Sequence, residues 1–306
     1  MRRLRPLIFL LLLAMLTTDS AIGNTHSDSC LAPGDWWQRG EITPASSVIA
    51  QAAAQDVVLI GERHDQMAYH RFELQTLAGL AAHRDDMVIG LEMLPRSAQP
   101  ILDAWVAGEL SEGELLRQSR WNEVWGYDPA MYLPILHFAR MKRIPLVALN
   151  IAPELRRRLA DDGFDAVPAA ERHGIAPPAA PRKAYRKRLR AIYDAHPLEQ
   201  SFTTFLQAQL AWDVAMADAL EKASAGGQLA VGLMGMGHML YGDGVAYQLA
   251  ERGIYAQMTL LPVPVSGCRP DIPGLADALY RLEPSPAPAA GFMEQLVTVS
   301  RRAGSP

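Results

Sequence analysis

The chain has 306 residues, 49% of them hydrophobic and 20% charged, with a formal net charge of −4. That much apolar sequence supports a sizeable core, in one large domain or one domain with an insertion. The acidic balance excludes a general attraction to nucleic acid or anionic membranes.

The N-terminus predicts export. Met1 to Arg5 is basic, Pro6 to Leu16 is almost uninterruptedly apolar, and Ala21-Ile-Gly23 offers small residues to a signal peptidase. The apolar run is too short to span a bilayer, so residues 1–23 read as a cleaved secretory signal. Its removal takes away Arg2, Arg3, Arg5 and Asp19, so that −4 becomes −6. Cys30 is the sole early cysteine, and His26-Ser-Asp-Ser29 before it lacks the apolar-small pattern of a lipidation site. A periplasmic or secreted product is therefore expected. In an oxidising compartment the two cysteines, Cys30 and Cys268, favour a disulfide.

In chain order, Val57–Ile60, Met87–Leu91, Pro145–Leu149 and Leu229–Met234 are short apolar runs without alternation. Strands covered on both faces read this way. Tyr255–Pro262 predicts a fifth, more polar strand, expected at an edge. Helical patterns run over Tyr69–Ala82, Ala98–Val106, Ser111–Gln118 with Ser111 as N-cap, and Asp128–Arg143 with Pro129 in the first turn. Strand and helix in alternation predict an α/β fold with a mainly parallel central sheet flanked by helices. Residues 151–226 hold no strand pattern. A Pro/Ala-rich stretch, Val167–Pro181, is followed by helices over Lys183–Ala195 and Ser201–Lys222, and the interval reads as a helical insertion or lid. The expected division is a signal over 1–23, an α/β domain over 30–265, and a tail over 266–306.

Chemistry collects where the strands end. Gly61-Glu-Arg-His-Asp65 follows the first, Glu92 the second, Asn150 the third, and Gly235-Met-Gly-His238 the fourth. The carboxyl edge of a parallel sheet is where open α/β folds bind ligands. Glu62, His64, Glu92 and His238 are thus expected to converge. Two carboxylates and two imidazoles can share a proton, hold a divalent metal or polarise water. Gly235 and Gly237 permit a tight turn beside His238. Met234, Met236 and Met239 read as packing, and His70 and His83 as surface residues of the first helix.

Val57–Asp65, Gly90-Leu-Glu-Met93 with Gln99 and Leu102-Asp103, Trp121–Tyr132, Ala148-Leu-Asn150, Gln209–Met216, and Gly-Met-Gly-His238 with Gly244-Val245 occur in that order. Together they resemble the ChaN-like family of the Tiki and erythromycin-esterase superfamily, over roughly residues 30–265. The resemblance implies haem binding in iron uptake, a homodimer holding two cofacial haems, a tyrosine as iron ligand, and an outer-membrane haem/iron uptake system as partner. More distant members of the superfamily are hydrolases or metal-dependent proteases, which implies an alternative: hydrolysis or metal binding by Glu62, His64, Glu92 and His238. Met236 stands where the family often has arginine, which removes a cation.

Haem needs an axial ligand, apolar walls and cations for its propionates. Tyr185 and Tyr193 lie eight residues apart on nearly one face of the predicted 183–195 helix, among Arg182, Lys183, Arg186, Lys187, Arg188 and Arg190. His196 could support a tyrosinate. Tyr132 and Tyr241 are rival axial candidates, and the residues do not choose among them.

Overall fold

The computed structural model describes residues 30–195, 200–264, 267–270 and 272–283. The predicted signal (1–23), His196 and the chain beyond residue 283 lie outside these described residues. The strands and helices run in the order β1 (Trp36–Gln38), β2 (Glu41–Thr43), α1 (Ala45–Ala53), β3 (Val57–Glu62), α2 (Met67–Ala81), β4 (Met87–Pro95), α3 (Gln99–Ala107), α4 (Glu112–Gln118), α5 (Trp121–Val124), α6 (Leu133–Lys142), β5 (Leu146–Asn150), α7 (Pro153–Asp161), α8 (Lys183–Ala195), α9 (Phe202–Ser224), β6 (Leu229–Gly235), α10 (Val245–Glu251), β7 (Gln257–Val263) and β8 (Ala278–Arg281). Short 3-10 turns occupy Pro129–Met131 and Met236–His238, among others.

The local signals act as their chemistry dictates. Ser111 caps α4 in a full capping box, accepting from the Glu114 amide while the Glu114 carboxylate accepts from the Ser111 N–H. Pro129 opens a 3-10 turn ahead of α6, because its ring presets φ and its missing N–H is not needed there. Every residue of β3, β4 and β6 is buried, so these strands carry no alternation and need cover on both faces. That cover comes from α9, which packs on β4, β5 and β6, and from α2 and α3, which pack on β3 and β5 and meet α6.

Eight strands form one sheet in the order β2-β1-β8-β7-β3-β6-β4-β5. The expectation of a mainly parallel sheet is corrected: the sheet is mixed. β8, β7, β3, β6, β4 and β5 pair in parallel, whereas β1 pairs antiparallel with both β8 and β2. β1 and β2 are only three residues each, too short to leave a hydrophobic period in the sequence. β7 is likewise not an edge. It lies between β3 and β8, and β8 comes from the segment read as a tail.

Residues 151–226 hold α7, α8, α9 and a 3-10 turn, with no strand among the described residues. Helix α9 lies directly on the sheet and is buried along most of its second half, so it covers the core and is not a lid over it. Among the described residues no helix is long and apolar enough to cross a membrane. Cys30 and Cys268 are each disulfide-bonded, and the sequence has no third cysteine.

Candidate functional site

Parallel register brings the strand ends together. Glu62 at the end of β3 pairs with Gly235 at the end of β6, and Leu91 of β4 pairs with Leu233 of β6. Glu92 therefore emerges beside Met234 and Gly235. Between Leu91 and Pro95 the β4–β5 register shifts, so that Pro95 pairs with Asn150. Such an irregularity re-aims side chains at a sheet's rim. Here it starts at Glu92.

Two imidazoles flank Glu92, each backed by a carboxylate. His64 Nδ1 lies 2.8 Å from Glu62 Oε1, and His238 Nδ1 lies 2.7 Å from Asp213 Oδ1 of α9. His238 Nε2 is 3.4 Å from Glu92 Oε1, while the Gly235 N–H donates to Glu92 Oε2 at 2.6 Å. A Cβ on Gly235 would meet His64 Nε2 at 3.0 Å and Glu92 Oε2 at 3.6 Å. The free nitrogen of His64 therefore faces the same point as Glu92, and only glycine leaves room there. Gly237 has no atom near its Cβ position, so Gly235 alone makes the close approach.

The four expected residues are thus gathered, but within a longer buried chain. Behind Glu62, His70 Nε2 lies 3.2 Å from Oε2, and His70 Nδ1 lies 2.9 Å from Glu73. The Tyr132 hydroxyl donates to Glu62 at 3.3 Å. On the other side Tyr185 donates to Asp213 at 2.8 Å, and Gln209 donates to Tyr185. His70, read from sequence as a surface residue, is buried; His83 is exposed. The available signal was Glu73 at i+3 from His70, a spacing that puts both on one helix face. Asp213 stands inside the apolar run of α9, and its signal was that misplaced charge.

Electrostatics separates the groups. Burial, with the neighbouring Glu73, raises Glu62 to about 7 despite its imidazole partners. Burial, with a smaller push from Glu92, also raises Glu73 well above the carboxylate range. For His238 burial opposes the charge, yet Glu92 and the Asp213 hydrogen bond outweigh it and raise it to about 10. Burial would raise Glu92, but His238 and His64 hold it below its ordinary value. Burial also opposes charge on His64, and Glu62 and Glu92 reverse that, raising it. At neutral pH the edge holds an ionised Glu92 against a protonated His238, while burial shifts the titration of Glu62 up towards neutrality.

For metal ligation, Glu62, His70 and Glu73 offer atoms all within 4.8 Å of one another, and all three are buried. This group shares only Glu62 with the four residues that the sequence suggested. Chemically, the edge can store and pass a proton between carboxylate-backed imidazoles, or offer nitrogen and oxygen ligands.

The rim is aromatic. Trp125 and Tyr127 stand against His64, with ring centroids 4.5 Å and 5.1 Å away, and Trp212 stands edge-on to His238 at 5.4 Å. The Trp212 indole donates to Asn150 Oδ1 at 2.6 Å, and the Asn150 amide donates to the Glu92 carbonyl. Met234, Met236 and Met239 are core residues, as expected of packing. A cavity of about 780 Å³, lined by Gln51, Gln55, Gln257 and Met258, opens at the amino end of β3 and β7, away from this chemistry.

The tyrosine candidates fare differently. Tyr185 and Tyr132 are buried with their hydroxyls engaged, and burial raises both far above the ordinary phenol value. Tyr193 is half-buried and donates to the Gln200 carbonyl at 2.7 Å. Tyr241 is half-buried beneath Arg188, whose guanidinium lies 4.5 Å from the ring centre. Arg182 and Arg188 both pair with Asp243, and Arg190 pairs with Asp194. Tyr127, absent from the sequence candidates, is 37% exposed beside His64.

Gly244 gives this site a backbone constraint. It has φ +58°, and a Cβ there would lie 2.2 Å from the His238 carbonyl oxygen. No rotamer relieves a clash with backbone. Gly244→Ala is expected to cost about 3 kcal/mol or more and to displace His238. Urea unfolding checks the first effect and the His238 imidazole NMR signals the second.

The chain matches the family described as "Haem-binding uptake, Tiki superfamily, ChaN" over residues 48–249. Among solved structures it is similar to ChaN of Campylobacter jejuni, a structure described as showing cofacial heme binding. That match has 15% identity, TM-score 0.63, and covers 80% of this chain and 95% of the other. It is also similar to the type III effector HopBA1 (14% identity, TM-score 0.49, covering 85% and 100%) and to a mutant erythromycin esterase (13% identity, TM-score 0.44, covering 82% of each). No curated protein matches. The family match spans well over half of the sequence, and the chain belongs to the ChaN haem-binding uptake family of the Tiki superfamily.

Proposed function

We propose that this protein binds haem and serves haem or iron uptake after export. The observation that carries the reading is the family match over residues 48–249. Export rests on the basic and apolar start of the sequence, with residues 1–23 as a cleaved signal. Disulfide-bonded Cys30 and Cys268 accord with an oxidising compartment. A homodimer and an outer-membrane uptake system are the partners this reading entails.

The residues of the carboxyl edge fit such a ligand. Trp125, Tyr127 and Trp212 supply flat apolar walls, and His64 Nε2 and the Tyr127 phenol are the donors nearest solvent. Tyr185 and Tyr132 do not fit as iron ligands, because their hydroxyls are buried in hydrogen bonds to Asp213 and Glu62. When bound, the group would supply ferric iron chemistry. The protein's own part is to orient the ring between aromatics, to exclude water from Glu92 and His238, and to hold the proton on His238. A divalent ion at Glu62, His70 and Glu73 is the alternative cofactor. The hydrolase alternative built on Glu62, His64, Glu92 and His238 is not favoured by the comparisons.

Hemin added to the purified protein is expected to give a saturable Soret change with a high-spin ferric tyrosinate signature. Tyr127→Phe should abolish that signature while Tyr185→Phe leaves it. A spectrum that never saturates would end the haem reading.

A further inference from the structure

Arg156 is the unexplained charge at this edge. It sits on α7 with its guanidinium over the Trp212 ring, 4.0 Å from the centroid. The side chain is partly buried, and among the described residues its guanidinium makes neither an ion pair nor a hydrogen bond. Its neighbours are used differently: Arg158 pairs with Glu171, and Arg157 is exposed. A guanidinium held partly out of water against a ring gains more from a charge-assisted acceptor than one in open solvent. Burial and the adjacent Arg157 hold Arg156 below the usual arginine range.

The surroundings make this a prepared arrangement. Trp212 is fixed from beneath by its bond to Asn150 and by edge contact with His238, so the ring is a rigid platform. Stacking leaves the in-plane N–H fork of Arg156 free for a planar acceptor. Glu92 is the anion that acts most strongly on Arg156, and it is already engaged by His238 and the Gly235 N–H. Glu154 is exposed on the same helix and offset by Arg157. Arg156 therefore keeps its own charge available to a ligand's anion.

We propose that Arg156, stacked on Trp212, is the carboxylate-recognition subsite of the carboxyl edge, gripping the carboxylate of a ligand whose flat apolar body lies over the aromatic rim. The substrate class is thus an aromatic or macrocyclic carboxylic acid. Applied to haem the proposal rests on the function proposed above, with a propionate as the gripped group, but the subsite stands for any flat carboxylate.

The test uses the full chain, its Arg156→Ala and Arg156→Lys variants, and two probe pairs: hemin against its dimethyl ester, and pyrenebutyrate against its methyl ester. The free acids should bind the Ala variant about 10- to 100-fold more weakly than the parent. The Lys variant should recover part of the loss, and the esters should bind parent and variants alike. Equal weakening of acids and esters, or unchanged binding of the acids, overturns the subsite. Pyrenebutyrate binding that depends on Arg156, with hemin inert, retains the subsite and removes haem. Hemin binding indifferent to Arg156 does the reverse, and no binding of any acid removes both.

Discussion

Asp213→Ala is expected to destabilise the protein by about 3–5 kcal/mol, the usual cost of removing one partner from a buried ion pair. Asp213 is wholly buried on α9 and holds both His238 Nδ1 and the Tyr185 hydroxyl. Its loss leaves a buried imidazolium with Glu92 at 3.4 Å as its remaining carboxylate and the Gln209 amide at Nδ1, and a buried phenol reduced to its contact with Gln209. Asp213→Asn keeps the shape and one acceptor, so it should cost less. It should also lower the pKa of His238, since the neutral amide supports the imidazolium less well. Urea unfolding at pH 7 gives the stability difference, and NMR titration of His238 gives the shift. If alanine and asparagine prove equally mild, the buried pair does not organise this end of the site.

Stability should fall as pH rises from about 6.5 to 10. The folded pKa of His238 is about 10, above the unfolded value of 6.5. Within that window the native state keeps a proton that the unfolded chain has released. The contribution is complete below 6.5 and is lost as pH passes through the folded value, with an upper limit of ~5 kcal/mol. Glu62 adds a slope of the same sign at lower pH, because its folded value of about 7 exceeds 4.5. Glu92 opposes it: its folded value is depressed, so its contribution is present above 4.5 and lost as pH falls through that lower value. The balance of these three groups therefore puts maximal stability close to the ordinary carboxylate value, about pH 4.5. Unfolding midpoints at pH 6 and pH 9 should differ clearly for the parent and much less for His238→Gln. Parallel pH curves for the two would refute the assignment.

These effects trace to groups that the sequence displayed unequally. Glu62, His64, Glu92 and His238 were legible because each lies within a few residues of the carboxyl end of a buried strand, and parallel strands must end side by side. Asp213 was visible on its helix without a role. His70 was misassigned because a buried imidazole and an exposed one look alike within an amphipathic pattern. Its burial follows from α2 packing against β3, where His70 meets Glu62, a residue eight positions away in the chain. Tyr185 and Tyr193 show what spacing leaves open. Their helical spacing was right, yet one hydroxyl is held by Asp213, and the other by a carbonyl just beyond its own helix.

The carboxyl-edge cluster is thus what the sequence by itself determined, along with the main strands and helices. Short-range patterns encode which face is buried and where an element ends. Tertiary structure alone decided the partners. The mixed sheet arises from two three-residue strands and from β8, whose pairing depends on segments far apart in the chain. The Glu62–His70–Glu73 group, the Asp213–His238 pair and Arg156 on Trp212 join residues from different elements. Periodicity carries no information on such distant pairings. They exist because packing helices onto the sheet desolvates these groups together and leaves them to pair with one another.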